Sequence, residues 1–477
     1  MRNLPALPTW LRILMLGILA GLLNLSPLPH DLRAAWEQAG KAFRNNTPAS
    51  AAAALAKALA YEPWRQELWL ARGRYALLAQ DYAQAAEALE EAGRRGALSP
   101  EDWTALGDAY QALNDLEKAV ECWSRALEGG AVAVDIYRRQ LTVYEAEKNY
   151  DKLLGIYQAL TTAQPANGQA HFKAGLIIAS RETETALAYL ERAAELDAQV
   201  AQPARKLAGD IRTASLQEMP AFTLISAGRS LAALGYWDLA KEAFQNTIRL
   251  EPGYAEAWAF LAEAQQQVGG AEAGYAWDNL QQALALNPNS LAANLLAALY
   301  FQRKGDYSQA ESWLQSASRL EPNNPIVQVE LGNTYTRLGD LQKAEAAYRK
   351  AIELQPEDVA LRRALVNFLL SHQIKLRESA LPVARQAVIL APEDAAALDL
   401  YGETLFLLGD LYGAKRFLER AVHADPAYAP ALMHLGVTLV YLGEGEPGKR
   451  MLEAARRLAV DLPTRTQAER LLQYYFP

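Results

Sequence analysis

From Asp31 onward, apolar side chains recur at i, i+3, i+4 and i+7, and no convincing run of alternating apolar and polar residues interrupts them. This periodicity, in a stretch rich in alanine and leucine, predicts an all-α chain. A longer period lies over the helical one. Trp103, Leu106, Gly107, Tyr110, Leu116, Ala119, Trp123 and Ala126 form one unit, and Tyr137, Leu141, Tyr144, Tyr150, Tyr157 and Pro165 fall in the same places about 34 residues later. The order returns at Leu331, Gly332, Tyr335, Leu341, Ala344, Tyr348, Ala351 and Pro356, and again at Tyr401, Gly402, Leu405, Leu411, Ala414, Leu418, Ala421 and Pro426.

The spacing has a physical logic if each unit is a pair of antiparallel helices. A small residue in the eighth place, such as Gly73, Gly107, Gly332, Gly402 or Gly436, lets the first helix approach the second. Alanine in the twentieth place does the same from the other side, and bulky residues in the fourth, eleventh and twenty-fourth places fill the space around that contact. Proline near the thirty-second place, as in Glu251-Pro252, Glu321-Pro322 and Gln355-Pro356, biases the residue before it away from helical angles and ends the second helix. Gly305-Asp306, Gly339-Asp340 and Gly409-Asp410 mark the turn between the two helices. In this pattern the chain resembles the tetratricopeptide repeat family over almost its whole length after residue 31. The resemblance implies a right-handed superhelical solenoid of about twelve helix-turn-helix units.

The units are expected at 32–64, 66–99, 100–133, 134–167 and 168–198, then at 221–254, 255–290, 291–324, 325–358, 359–394, 395–428 and 429–461. The first and the one around Gly175 are a residue short in the inter-helix turn; those around Trp258 and Arg362 carry about two extra residues. Residues 199–218 fit no repeat, yet Ala204, Leu207, Ala208, Ile211 and Leu216 form an apolar stripe. That segment is either an inserted linker helix, dividing an N-terminal array at 31–198 from a C-terminal array at 219–461, or a degenerate repeat that stacks continuously. A final helix within 462–477 places Ala468, Leu471 and Leu472 on one side, as a cap over an exposed end requires.

The first thirty residues differ from all of this. Arg2 and Arg12 precede an apolar run from Ile13 to Leu25, inside the roughly 7–15 residues of a signal-peptide core and short of the roughly 20 that span a bilayer. Residues 1–30 are therefore expected to be a signal sequence or a membrane anchor, giving a membrane-associated or exported protein with the extracytoplasmic side favoured. Ser26-Pro27-Leu28-Pro29 offers no small-residue cleavage site, and the basic residues flanking the run leave its orientation open.

Apolar residues make up 51% of the chain and charged residues 21%, which fits a folded protein and argues against wholesale disorder or many membrane spans. A net charge of −8 supplies no global basic field, so nucleic acid is not expected as a partner. The single cysteine, Cys122, excludes an intramolecular disulfide and any multi-cysteine metal site, and it sits where a small packed residue belongs. No phosphate loop, nucleophile elbow or H-E-x-x-H motif is present. His171 takes a bulky core place, and His372, His423 and His434 lie in different units without i, i+4 partners. No catalytic residue, cofactor, metal or small-molecule substrate is expected.

Function is then sought along the concave face, where the family lays peptides against the second, fifth, ninth, twelfth and thirteenth places of successive first helices. Here those places supply Asn333, Arg337, Arg363 and Asn367, a set of amide and guanidinium donors suited to a peptide backbone or a carboxylate. The set partly resembles the carboxylate clamp of chaperone-binding family members. It departs from that clamp at Val329, where a basic residue would be wanted, and at Asp399 and Glu403, which would repel a carboxylate. The expected function is a non-enzymatic scaffold for a protein or peptide partner. The alternative is an accessory or substrate-presenting subunit of an envelope polysaccharide or cell-wall assembly enzyme.

Overall fold

The computed structural model describes residues 30–45 and 47–477; the targeting segment expected at 1–30 lies almost wholly outside them. The described residues hold twenty-six α-helices and no strand. The chain divides into two compact units, Met1–Gly209 and Asp210–Pro477. In the first, five helical hairpins follow one another: α1 (His30–Arg44) with α2 (Pro48–Leu59), α3 (Gln66–Leu78) with α4 (Tyr82–Arg95), α5 (Pro100–Ala112) with α6 (Leu116–Glu128), α7 (Ala133–Ala146) with α8 (Tyr150–Ala163), and α9 (Gly168–Ala179) with α10 (Thr183–Leu196). Next comes α11 (Ala198–Ser215), an eighteen-residue helix that contains Pro203 and within which the division between the units falls. Its Ala204, Leu207, Ala208 and Ile211 are buried, so the apolar stripe of that segment is a packed helix face.

The second unit holds seven hairpins: α12 (Pro220–Ala233) with α13 (Trp237–Leu250), α14 (Ala255–Val268) with α15 (Ala276–Leu286), α16 (Leu291–Lys304) with α17 (Tyr307–Leu320), α18 (Pro325–Leu338) with α19 (Leu341–Leu354), α20 (Val359–Ser371) with α21 (Leu381–Leu390), α22 (Ala395–Leu407) with α23 (Leu411–Ala424), and α24 (Ala429–Tyr441) with α25 (Gly445–Leu458). A single helix, α26 (Leu462–Tyr475), closes the unit by burying Ala468 in a cluster with Leu432, Met433, Leu452 and Ala455. The hairpins and the order of their helices are those of a tetratricopeptide solenoid.

The repeat positions do what their sizes suggest. A Cβ on Gly332 of α18 would come within 2.8 Å of the Tyr348 ring of α19, and one on Gly107 of α5 within 2.5 Å of Trp123 of α6, so only hydrogen fits there. Ala344 and Ala119, one helix across, are fully buried at the same contacts. Between α18 and α19 the chain reverses through Gly339 at φ +81°, and the Asp340 carboxylate then accepts the Lys343 N–H at 3.1 Å to cap α19. The second helices stop before their prolines: α13 ends at Leu250 ahead of Glu251-Pro252, and Glu251, at φ −140° and ψ 86°, has already left helical angles.

The irregular units are irregular for visible reasons. The hairpin around Gly175 turns from α9 into α10 through Ser180–Glu182 with no left-handed residue, whereas the turns at Gln80, Asn114 and Lys148 each use one. Its deficit of one residue is thereby absorbed. The extra residues near Trp258 become a 3₁₀ turn, Gly270–Tyr275, between α14 and α15. Those near Arg362 become a π turn, Leu376–Ala380, in front of α21, entered through Lys375 at φ +46°. Lys375 Nζ lies 2.7 Å from the buried Glu345 of α19, which also receives Arg349 at 2.9 Å, so the bulge is tied to the preceding hairpin.

Candidate functional site: a polar groove on α16, α18 and α20

Polar side chains on the first helices pair across repeat boundaries, about one repeat apart in sequence. Arg74 bonds Asp102 at 2.7 Å, and Arg139 bonds both oxygens of Asp108 at 2.7 and 3.0 Å. Arg303 bonds Glu263, and Ser290 donates to Glu256 at 3.3 Å. These pairs sit between successive hairpins and engage Asp108, Glu256 and Glu263, while Glu145 accepts the Tyr157 hydroxyl at 2.7 Å. Arg229 instead lies over the Phe260 ring, 5.4 Å from its centroid.

One stretch of the second unit is left open. A cavity of about 880 Å³ is lined by Gln302 and Arg303 of α16, Tyr307 of α17, Asn333, Thr334, Thr336 and Arg337 of α18, Tyr348 of α19, Ala364, Asn367, Phe368 and Ser371 of α20, and His372 just after it. Three of the four expected residues, Asn333, Arg337 and Asn367, therefore meet in one place. Asn333 Oδ1 accepts the Tyr348 hydroxyl at 2.6 Å, which fixes the amide and turns its NH₂ outward as a donor. Arg337 and the Asn367 amide are exposed and have no hydrogen-bond or ion-pair partner among the described residues. Arg303, by contrast, is spent on Glu263 at 2.6 Å. A free guanidinium flanked by two amides presents donors to an anionic or carbonyl-bearing ligand.

Arg363 does not join this set. Its guanidinium holds both oxygens of Asp394, at 3.1 and 3.0 Å, and it lines a neighbouring cavity of about 590 Å³. Asp394 also accepts the Ala396 and Ala397 N–H groups at the start of α22, so the ion pair fastens α20 to the next hairpin.

The second cavity contains chemistry that the sequence reading passed over. His434 of α24 gives Nδ1 to Asp399 Oδ1 at 2.8 Å, and its Nε2 lies 3.8 Å from Glu403 Oε1. Burial works against a charged His434, but the Asp399 carboxylate, with Glu403 behind it, overcomes that penalty and raises the pKa to about 9. The signal that could have found the pair is a separation of about one repeat between opposite charges on the inner face, not the i, i+4 spacing of a single helix. His171 is half-buried, its ring 5.8 Å from that of Tyr189. Met433 is buried beneath α26, while Tyr441 at the end of α24 stays exposed.

No group of three or more metal-binding side chains is found among the described residues, and none of their helices is long and apolar enough to cross a membrane. Family models described as tetratricopeptide repeat match residues 37–100, 103–128, 276–331 and 326–358. No curated protein matches the chain. Among solved structures, yeast Tom70 is similar at 16% identity and a TM-score of 0.44, covering 93% of this chain and 95% of its own. The Cut9–Hcn1 hetero-tetramer of the APC/C matches at 16% identity and a TM-score of 0.45, over 96% of this chain and 98% of that one. MamA from Desulfovibrio magneticus RS-1 is 25% identical, with a TM-score of 0.31, over 35% of this chain and 94% of its own.

Proposed function

The chain is a tetratricopeptide repeat protein, and from that premise we propose that it is a non-enzymatic scaffold that holds an extended segment of a protein partner in the groove of α16, α18 and α20. The observation that carries this reading is the pairing state of the groove: neighbouring guanidiniums are consumed by carboxylates one repeat away, whereas Arg337 and the two asparagine amides face an open cavity with donors to spare. A peptide backbone or a side-chain carboxylate satisfies such donors without any reaction taking place. Replacing Asn333, Arg337 and Asn367 together by alanine should lower the affinity for a partner captured by crosslinking from native extracts by tenfold or more, with helicity unchanged. Unchanged affinity would sink the proposal.

We further propose that residues 1–30 direct the chain to a membrane or across it, on the strength of the Arg2 and Arg12 charges ahead of the apolar run. Fractionation of the full chain against one starting at Asp31 tests this; equal partitioning of the two into the soluble fraction refutes it.

A further inference from the structure

The two cavities of the second unit share a wall, since Ala364 and Asn367 of α20 line both. Their charges are opposite. In the second cavity Arg363 is neutralised by Asp394, and Asp399 by His434, which leaves the Glu403 carboxylate as the unmatched charge. Glu403 accepts no hydrogen bond from any described residue, and its nearest cation, His434 Nε2 at 3.8 Å, is beyond bonding distance. Burial, with a smaller contribution from Asp399, pushes its pKa up against the pull of His434, as expected of a carboxylate short of partners. The rest of the wall is different in kind: Ala360, Ala364, Ala396, Leu400 and Pro430 are apolar, and Tyr428 adds an aromatic ring. Burial pushes the Tyr428 hydroxyl up to about 12, so it stays neutral.

A cavity with apolar sides and one under-satisfied carboxylate matches a ligand with a methylene stem and a cationic tip. We propose that this second cavity is a cation subsite of the same groove, taking the lysine or arginine side chain of a segment whose acceptor groups lie against Asn333, Arg337 and Asn367. The inference rests on the reading of the first cavity as a peptide site and deepens it: the partner segment is dipolar, an acidic or carbonyl-rich portion at α18 and a basic residue one step along at α20 and α22. An acidic side chain and a free C-terminal carboxylate both fit the Arg337 end, and amidated peptides separate these sources.

The test uses the full chain and a display library of random peptides about twelve residues long. Selected peptides should carry a lysine or arginine at a fixed distance from an acidic residue or the C-terminus. Binding of a selected peptide should fall about tenfold when its basic residue becomes norleucine, an order set by loss of a charge-assisted bond. In the Glu403→Gln protein the same peptide should bind as weakly as its norleucine analogue, and the analogue should bind both proteins alike. Selection of acidic peptides without a basic residue, or a norleucine analogue that binds as well as its parent, overturns the subsite and leaves the groove reading standing. Failure to select any peptide whose binding responds to alanine at Asn333, Arg337 and Asn367 overturns both. Because the norleucine arm alters only the peptide, a folding defect in the Glu403→Gln protein cannot mask the result.

Discussion

His434 and Asp399 stand 35 positions apart in the chain, yet His434 Nδ1 lies 2.8 Å from Asp399 Oδ1, and the Asp399 side chain is only 3% exposed. The pair joins α24 to α22 from the inside. It consequently couples protonation to the stability of the C-terminal hairpins. A histidine whose folded pKa is raised from 6.5 to about 9 contributes stability that is fully present below about pH 6.5 and is lost as the pH climbs through about 9. The contribution is about 3 kcal/mol from the size of that shift. The melting temperature of the wild-type chain should therefore fall relative to His434→Gln as pH rises from 6.5 to 9. A difference between the two proteins that stays constant across this range would refute the coupling.

Gly332 and Tyr348 make a second, purely steric prediction. The methyl group of Gly332→Ala would meet the Tyr348 ring at 2.8 Å, and that ring's hydroxyl orients Asn333. The substitution should cost about 1–3 kcal/mol by overpacking and should also disturb the groove. Tyr348→Phe, which removes only the hydroxyl, should cost about 1 kcal/mol. Urea denaturation of the two variants decides the matter, and a Gly332→Ala loss well under about 1 kcal/mol would contradict the packing argument.

Arg363 was expected at the binding surface, but its pairing with Asp394 gives it another task. Arg363→Ala should lower stability, because it strips a partner from a carboxylate that is only 26% exposed and caps α22. An Arg337→Ala protein should lose partner affinity with its melting temperature nearly unchanged, since the side chain is exposed and unpaired. If Arg363→Ala melts like the wild type and binds less, the assignment of roles is reversed.

Cys122 should be inert. Burial pushes its thiol up to about 11, so almost no thiolate exists at neutral pH. Alkylation by iodoacetamide should be slow in the folded protein and become fast in denaturant. Prompt native-state labelling would show that α6 opens locally.

The helices and hairpins were legible because each repeat position states its own size requirement: Gly107 against Trp123 and Gly332 against Tyr348 are visible as a spacing before they are visible as a contact. The turns were legible for the same local reason, in Gly339 and Asp340. The routing of surplus residues was not. Two extra residues near Arg362 could lengthen a loop or a helix, and the π turn that takes them up is accompanied by a contact from Lys375 to Glu345 of the preceding hairpin, 30 positions earlier. The groove was half legible. Position along the repeat puts Asn333, Arg337 and Asn367 beside one cavity, but whether a charge is paired depends on its partner one repeat away, which ties Arg363 to Asp394 and His434 to Asp399.

Helix α20 is a party wall: its Ala364 and Asn367 face one chamber and the next. If an occupant of either chamber shifts that helix, the affinity of the other chamber changes, and the same factor must appear whichever is filled first.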